Sequence, residues 1–290
     1  MTDQIIQALV NGLVSGSIYA LMAIGFTLVF GIMHVINLAH GELYMLGAFT
    51  TFILVGVYEI NFFVSLVISA FIVGVLGFFI ERFIFRPLRK TAMLNTLLAS
   101  IGLSIFLSNL VLQIAGPQMR TIAFPFGTEE IAIFGITMTI QRLLIVGITA
   151  ALVISLFVIF KFTKFGKALR ATSQNRDAAA LMGVNINLMY GLIFMISASL
   201  AAIAGGMIGS LYVVDAAMGI APGMKSFIIV ILGGMGSVVG AVIGALILGY
   251  AETFTNLYGS ASLQDLVGYV ILILVLLLKP SGLFGGAKIK

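Results

Sequence analysis

Hydrophobic residues come in long runs along this chain, near residues 5–30, 42–58, 62–84, 93–114, 141–160, 188–213, 226–250 and 266–278, and polar positions gather between them. Most runs reach the roughly 20 residues that a helix needs to cross about 30 Å of hydrocarbon, while the shortest, 266–278, spans only with help from its flanks. A lipid-facing barrel strand alternates apolar and polar side chains, which these runs do not. The pattern therefore predicts an all-α fold, a polytopic transmembrane helical bundle forming one domain over 1–290. The first run has no basic segment before it and the length of a spanning helix, so it is read as part of the structure and not as a cleaved leader.

Interruptions inside the pattern carry more information than the runs. Asn37, His40 and Glu42 fall in the stretch 31–42 between the first two runs, where there is no Lys or Arg. One reading is a helix broken at membrane depth, which is tolerated only where it is buried in protein or lines a wet cavity, and which makes its polar groups pathway or gate candidates. The other is a cytoplasmic turn in which Asn37 or His40 caps the next helix and Glu42 favours its positive end. His34 and His40 with one carboxylate do not match a metal-ligand spacing. Ser100, Ser104, Asn109 and Gln113 recur at four- or five-residue steps in the fourth run, a polar stripe expected to turn away from lipid and to serve either the path or helix packing. Gly236, Gly240 and Gly244 recur every fourth residue, as do Gly12 and Gly16; such small-residue faces let helices approach closely, within a subunit or between subunits. Asp215 and Glu252 are placed near membrane boundaries, where solvation is the ordinary fate of a carboxylate.

Charge sets the expected orientation. Arg82, Arg86, Arg89 and Lys90 form one basic loop, and Lys161, Lys164, Lys167, Arg170 and Arg176 form another two runs later, so the positive-inside rule places both in the cytoplasm. The loop 115–140, with Arg120, Glu129 and Glu130, then faces outward. The N-terminus, whose only charged side chain is Asp3, lies outside, and the C-terminus, with Lys279, Lys288 and Lys290, lies inside. That start and finish need an odd number of crossings. The run 226–250, interrupted by Gly233-Gly234-Met235-Gly236-Ser237, is the best place for an extra pass around 221–233, which gives nine passes, or eight if the run is one helix. In the outer loop, 120–126 and 130–134 alternate apolar and polar residues around Gly127-Thr128 and read as a hairpin.

Composition agrees: 61% of residues are hydrophobic, 9% are charged, and the mean hydropathy is +1.22. An ordinary soluble fold is excluded. The pI near 9.5 reflects the juxtamembrane clusters, so membrane lipid and not nucleic acid is the expected partner. With no cysteine there is no thiol nucleophile and no sulfur metal site. No catalytic residue, metal or cofactor is expected. The phosphate-loop pattern G-x-x-x-x-G-K-[ST] does not occur, so energy must come from a partner or an ion gradient.

One segment points to such a partner. Within the second basic loop, about 161–187, Asn175 is a good N-cap, Asp177 sits in the first turn, three alanines follow, and Gly183 supplies a stop. This specifies a helix of about two turns over 175–183, too short to be stable alone in water and in need of a docking surface. Asp177-Ala178-Ala179, then three residues, then Gly183, with Ile193 ten positions later, resembles the EAA loop by which permeases of ABC importers engage their ATPases. Asp stands for the usual Glu, and Met195-Ile196 stands where many such permeases have Leu-Pro.

The whole chain resembles the branched-chain amino-acid permease family of bacterial ABC importers, the shorter of its two permease types. The resemblance is carried by the blocks 19–27, Ile36-Asn37-Leu38-Ala39-His40-Gly41-Glu42, Glu81-Arg82 with Arg86-Pro87-Leu88-Arg89, Gly166-Lys167-Ala168-Leu169-Arg170-Ala171 and Leu232-Gly233-Gly234-Met235-Gly236-Ser237. It implies a type II-like importer permease in the bacterial inner membrane. It also implies a complex with two cytoplasmic ATPase subunits, a second and longer permease, and an extracytoplasmic solute-binding protein. Gly166, Arg170, Asp177, Ala178, Ala179 and Gly183 are then the residues that couple to the ATPase. The rival readings are a secondary transporter, for which His40 and Glu42 are the clustered relay candidates, a channel, or a permease of the same type for urea or short amides.

Overall fold

A computed structural model describes residues 2–127, 129–133 and 136–285. Thr128, Phe134 and the terminal Lys288 and Lys290 of the sequence reading lie outside them. The helices are α1 (Thr2–Met33), α2 (His40–Gly56), α3 (Phe62–Ile80), α4 (Arg86–Leu88), α5 (Met93–Ala115), α6 (Ile140–Phe162), α7 (Lys164–Gln174), α8 (Arg176–Leu181), α9 (Ile186–Gly209), α10 (Ile220–Gly233), α11 (Val238–Tyr258) and α12 (Ala261–Leu278). One π-helical turn, Glu81–Phe85, joins α3 to α4. Among the described residues six helices are long and apolar enough to cross a membrane, and α10 and the 263–278 part of α12 are shorter apolar helices.

The apolar run 226–250 is two helices. Gly234 and Gly236 both have positive φ, 98° and 91°, a backbone region that side chains with a Cβ rarely enter, so α10 stops there and α11 restarts with Ser237 accepting from the N–H of Gly240. The sequence reading set Gly236 on one helical face with Gly240 and Gly244, and this is corrected. Gly236 lies in the link and faces Gly31 of α1, whereas Gly240 and Gly244 lie on α11 against Gly233 and Ile229 of α10. The outer hairpin is also re-paired. Its strands are β1 (Glu130–Ile133) and β2 (Ile136–Thr139), antiparallel with Glu130 opposite Thr139. The 120–126 stretch instead joins the end of α9, where Arg120 pairs with Val214 and the Ile122 N–H donates to Gly209.

Helices α1 and α9 form the centre, with Leu21, Met22, Ile24, Ile193 and Phe194 essentially inaccessible. Outer helices α5, α6 and α12 turn Ile105, Ile154 and Ile273 outward, as lipid-facing or subunit-facing surfaces do. Helices α1 and α11 approach closely at the backbone. A Cβ on Gly249 would sit 2.6 Å from the Gly16 nitrogen and 2.8 Å from the Gly12 carbonyl oxygen. Gly249→Leu is therefore expected to cost about 1–3 kcal/mol or more by overpacking. Gly102→Leu on α5, where nothing lies within 4 Å of the added carbon, should be neutral. Thermal unfolding of both variants in detergent checks this, and equal midpoints would show that the α1–α11 contact can yield.

Candidate functional site

The chain between α1 and α2 leaves α1 through His34 at φ 56° and turns into the bundle. Asn37, His40 and Glu42 are at most 3% exposed, so this is a helix break buried in protein and not a solvated turn. Its depth follows from its neighbours. The His40 Nε2–H donates to the Met22 carbonyl at 3.0 Å, and the imidazole lies against Gly25. The Gly25 carbonyl in turn accepts from Ser197, near the middle of the 24-residue α9. Helix α1, at 32 residues, is about 48 Å long, well beyond one bilayer core, so its residues 22–25 lie inside its length and not at an end.

Local chemistry closes most of the break. The Asn37 side chain accepts from the Ala39 N–H at 3.1 Å, one residue ahead of the helix; Ala39 is the N-cap of α2, and no side chain caps it. Ser100 of α5 is fully buried and accepts from the Leu38 N–H. Ser104, one turn on, donates to Glu42 Oε1 at 2.9 Å. Asn109 and Gln113, farther along α5, are exposed, and Asn109 satisfies its own helix by donating to the Ile105 carbonyl. The polar stripe of the fourth run thus divides into an inner half that holds α2 and an outer half on the surface.

A second polar centre escaped the sequence reading. Glu252 of α11, placed there near a boundary and given little weight, is 1% exposed. Lys225 of α10 lies 3.0 and 3.1 Å from its two oxygens. The Tyr19 hydroxyl of α1 donates to it at 2.7 Å, and Asp265 of α12 lies 3.1 Å from Lys225. The available signal was Lys225 itself, one lysine at the edge of the apolar run 226–250 and inside the extra pass expected around 221–233, since a charge there is expected to have a partner. Beside this network opens a cavity of about 500 Å³, lined by Asn11, Tyr19, Tyr44, Arg142, Asn256 and Gln264 among others.

At the opposite end lies the 161–187 segment, which folds as two short helices. Helix α7 begins with Thr163, whose side chain accepts from the Gly166 N–H. Gly166 is buried against the backbone of Phe160, and the Arg170 guanidinium donates to the Phe160 carbonyl, so both residues brace the α6–α7 corner. Asn175 caps α8, accepting from the N–H groups of Asp177 and Ala178. At its other end the Val184 N–H reaches the Ala179 carbonyl and the Gly183 N–H reaches the Ala180 carbonyl, with Gly183 at φ 86°, the paired bonds of a Schellman stop. Ala179 is 3% exposed and faces its own chain, while Leu181 and Met182 are 90% and 85% exposed. Asp177 and Ala178 are exposed too, so the outward surface of α8 is formed by these residues and not by Ala179. Nearby, Glu81 is fully buried and paired with Arg86 and Arg89, and Arg89 also stacks on Tyr190 and bonds Asn187 of α9. Part of the first basic loop is thereby neutralised inside the fold.

A bundle of long apolar helices with polar groups buried between them has the architecture of a membrane permease. Residues 8–276 match the family described as branched-chain amino acid transport system, permease component, and the chain belongs to that family. It is 36% identical to the high-affinity branched-chain amino acid transport system permease protein LivH of Salmonella typhimurium, over 98% of this chain and 97% of that one. The identity and coverage are the same for the corresponding permease protein BraD of Pseudomonas aeruginosa. The ribose import permease protein RbsC of Escherichia coli is 27% identical over 94% of this chain and 85% of its own. The protein is therefore a multi-pass membrane permease subunit of an ABC importer.

Proposed function

We propose that this chain forms one half of a gated path that imports branched-chain or related aliphatic amino acids across the bacterial cytoplasmic membrane. Two ATPase subunits grip the 161–187 segment, a second and longer permease completes the path, and an extracytoplasmic binding protein delivers solute near the 115–140 loop. The observation that carries this reading is α8, where a side-chain cap, a positive-φ glycine stop and the outward Leu181 and Met182 make a rigid knob on a basic loop. Closure of the ATPase pair displaces this knob, and the bundle answers by exchanging an outward-open for an inward-open state. ATP and the loaded binding protein each do so only by binding one state better than the other.

Nine passes in a type II-like arrangement fit this reading, with α2, α10 and α12 added to the six long helices. The N-terminus then lies outside and the C-terminus inside. Because the chain has no cysteine, single cysteines report its orientation cleanly. Glu130→Cys should react with an impermeant thiol reagent in intact cells, and Gln174→Cys only after the membrane is opened; the reverse result would invert the topology.

The test of function is uptake into vesicles holding the whole complex. Import of leucine, isoleucine or valine should require ATP hydrolysis. Import that persists with an ATPase that cannot hydrolyse would return the secondary-transporter and channel readings, which family membership does not favour.

A further inference from the structure

We infer that the break between α1 and α2 holds a subsite for the transported amino acid, with Glu42 receiving its ammonium group. This rests on the reading above of an amino-acid permease and names the residues that would recognise the solute.

Glu42 is 2% exposed, and Ser104 occupies only its Oε1. Among the described residues its Oε2 meets no hydrogen-bond partner. Such an oxygen, kept from water without compensation, is costly, and Glu42 is one of the residues that line a cavity, where a small displacement of its side chain would offer Oε2 to a donor. That cavity is about 170 Å³, sized for a small solute, and lies between α2, α5 and α10. Apart from Glu42 and Ser104 its walls are aliphatic or glycine, including Ile101, Ile105, Ile220 and Met224. The last four are 37–59% exposed, so the cavity opens on the face of α5 and α10 instead of being sealed in the core.

The third wall supplies the opposite charge. Helix α10 starts at this cavity; in its first turn the Ile220 N–H donates to the Ala217 carbonyl and Pro222 has no N–H, which leaves the Ala221 N–H as the donor of that turn. The first turns of α2 and α10 meet there, where a Cβ on Gly41 would lie 2.9 Å from the Gly219 carbonyl carbon and 3.2 Å from the Gly223 Cα. The 14-residue α10 thus brings the positive end of its dipole beside a carboxylate. An α-amino acid has the matching parts: an ammonium for Glu42 Oε2, a carboxylate for the α10 N-terminus, and an aliphatic side chain for the isoleucines and Met224. Urea and short amides lack both the ammonium and the apolar tail.

The test uses Ile105→Cys, at the exposed rim of the cavity, in the complete transporter in nanodiscs, where solute reaches either face without the binding protein. Alkylation of that cysteine is followed with millimolar leucine or with isocaproate, which is leucine without its amino group. Leucine should slow alkylation, and isocaproate should do so only at about tenfold higher concentration or not at all, the loss expected for one hydrogen bond to a charged group. Glu42→Gln added to Ile105→Cys should remove the advantage of leucine. Equal protection by the two compounds overturns the assignment, and so does no protection by leucine from a complex that imports it into vesicles. The comparison of the two compounds needs no change at Glu42, so it decides the matter even where Glu42→Gln does not fold. A complex that imports no amino acid at all would instead refute the proposed function, and this subsite with it.

Discussion

Lys225→Met is expected to destabilise the bundle by about 3–5 kcal/mol, the range for stripping one partner from a buried ion pair. The isolated charge would be Glu252, 1% exposed on α11 and left with Tyr19 and a long contact to Gln264. Since Lys225 is on α10, Tyr19 on α1 and Asp265 on α12, the same network ties four helices together, and its loss should loosen all of them. The double variant Lys225→Met with Glu252→Gln removes both charges and should recover much of the loss, because the penalty comes from the unpaired carboxylate and not from the missing attraction. Thermal unfolding of the parent and both variants in one detergent measures this. A single variant as stable as the parent, or a double variant no better than the single one, would mean that the carboxylate finds water or a proton easily and that the pair does not hold the bundle.

Changing the outward knob should damage transport without damaging the fold. Leu181→Asp with Met182→Asp alters two side chains that are 90% and 85% exposed, so insertion and stability should be unchanged. If they fill a pocket on an ATPase, uptake should fall about 30-fold or more, as for loss of an interface hot spot of 2 kcal/mol. Gly183→Val acts differently. Nothing lies within 4 Å of the added carbon, so its cost is backbone strain at φ 86°, about 1–2 kcal/mol or more for a β-branched residue, and it should fray α8 and reduce coupling. Ala179→Glu is the poorer probe, since Ala179 faces its own chain and the variant would confound docking with folding. The readout is solute-stimulated ATP hydrolysis beside uptake in the same vesicles. Normal coupling in the double aspartate variant would reduce α8 to a connector.

What the chain determined by itself was whatever its neighbours in sequence enforce. The apolar runs set the helices, because a spanning helix satisfies its backbone internally whatever surrounds it. The glycines at 233–236 set the division of the run 226–250, and Asn175 and Gly183 set both ends of α8, because caps and positive-φ stops act over a few residues. The blocks that carry the family resemblance were likewise on view. The tertiary structure decided which faces meet. These helices are apolar nearly all round, so their sequences carry little information about which side turns inward, unlike the amphipathic helices of a soluble protein. Glu252 therefore read as a boundary residue until helices α1 and α10 brought Tyr19 and Lys225 to it, the former from 233 residues away. Residues 120–126 read as half of a hairpin until the end of α9 offered them an edge, and only the packing of α8 on its own chain buries Ala179. Glu42 could be located from sequence, but the cavity that it lines arises only where α2, α5 and α10 converge, and that convergence depends on contacts across the whole chain.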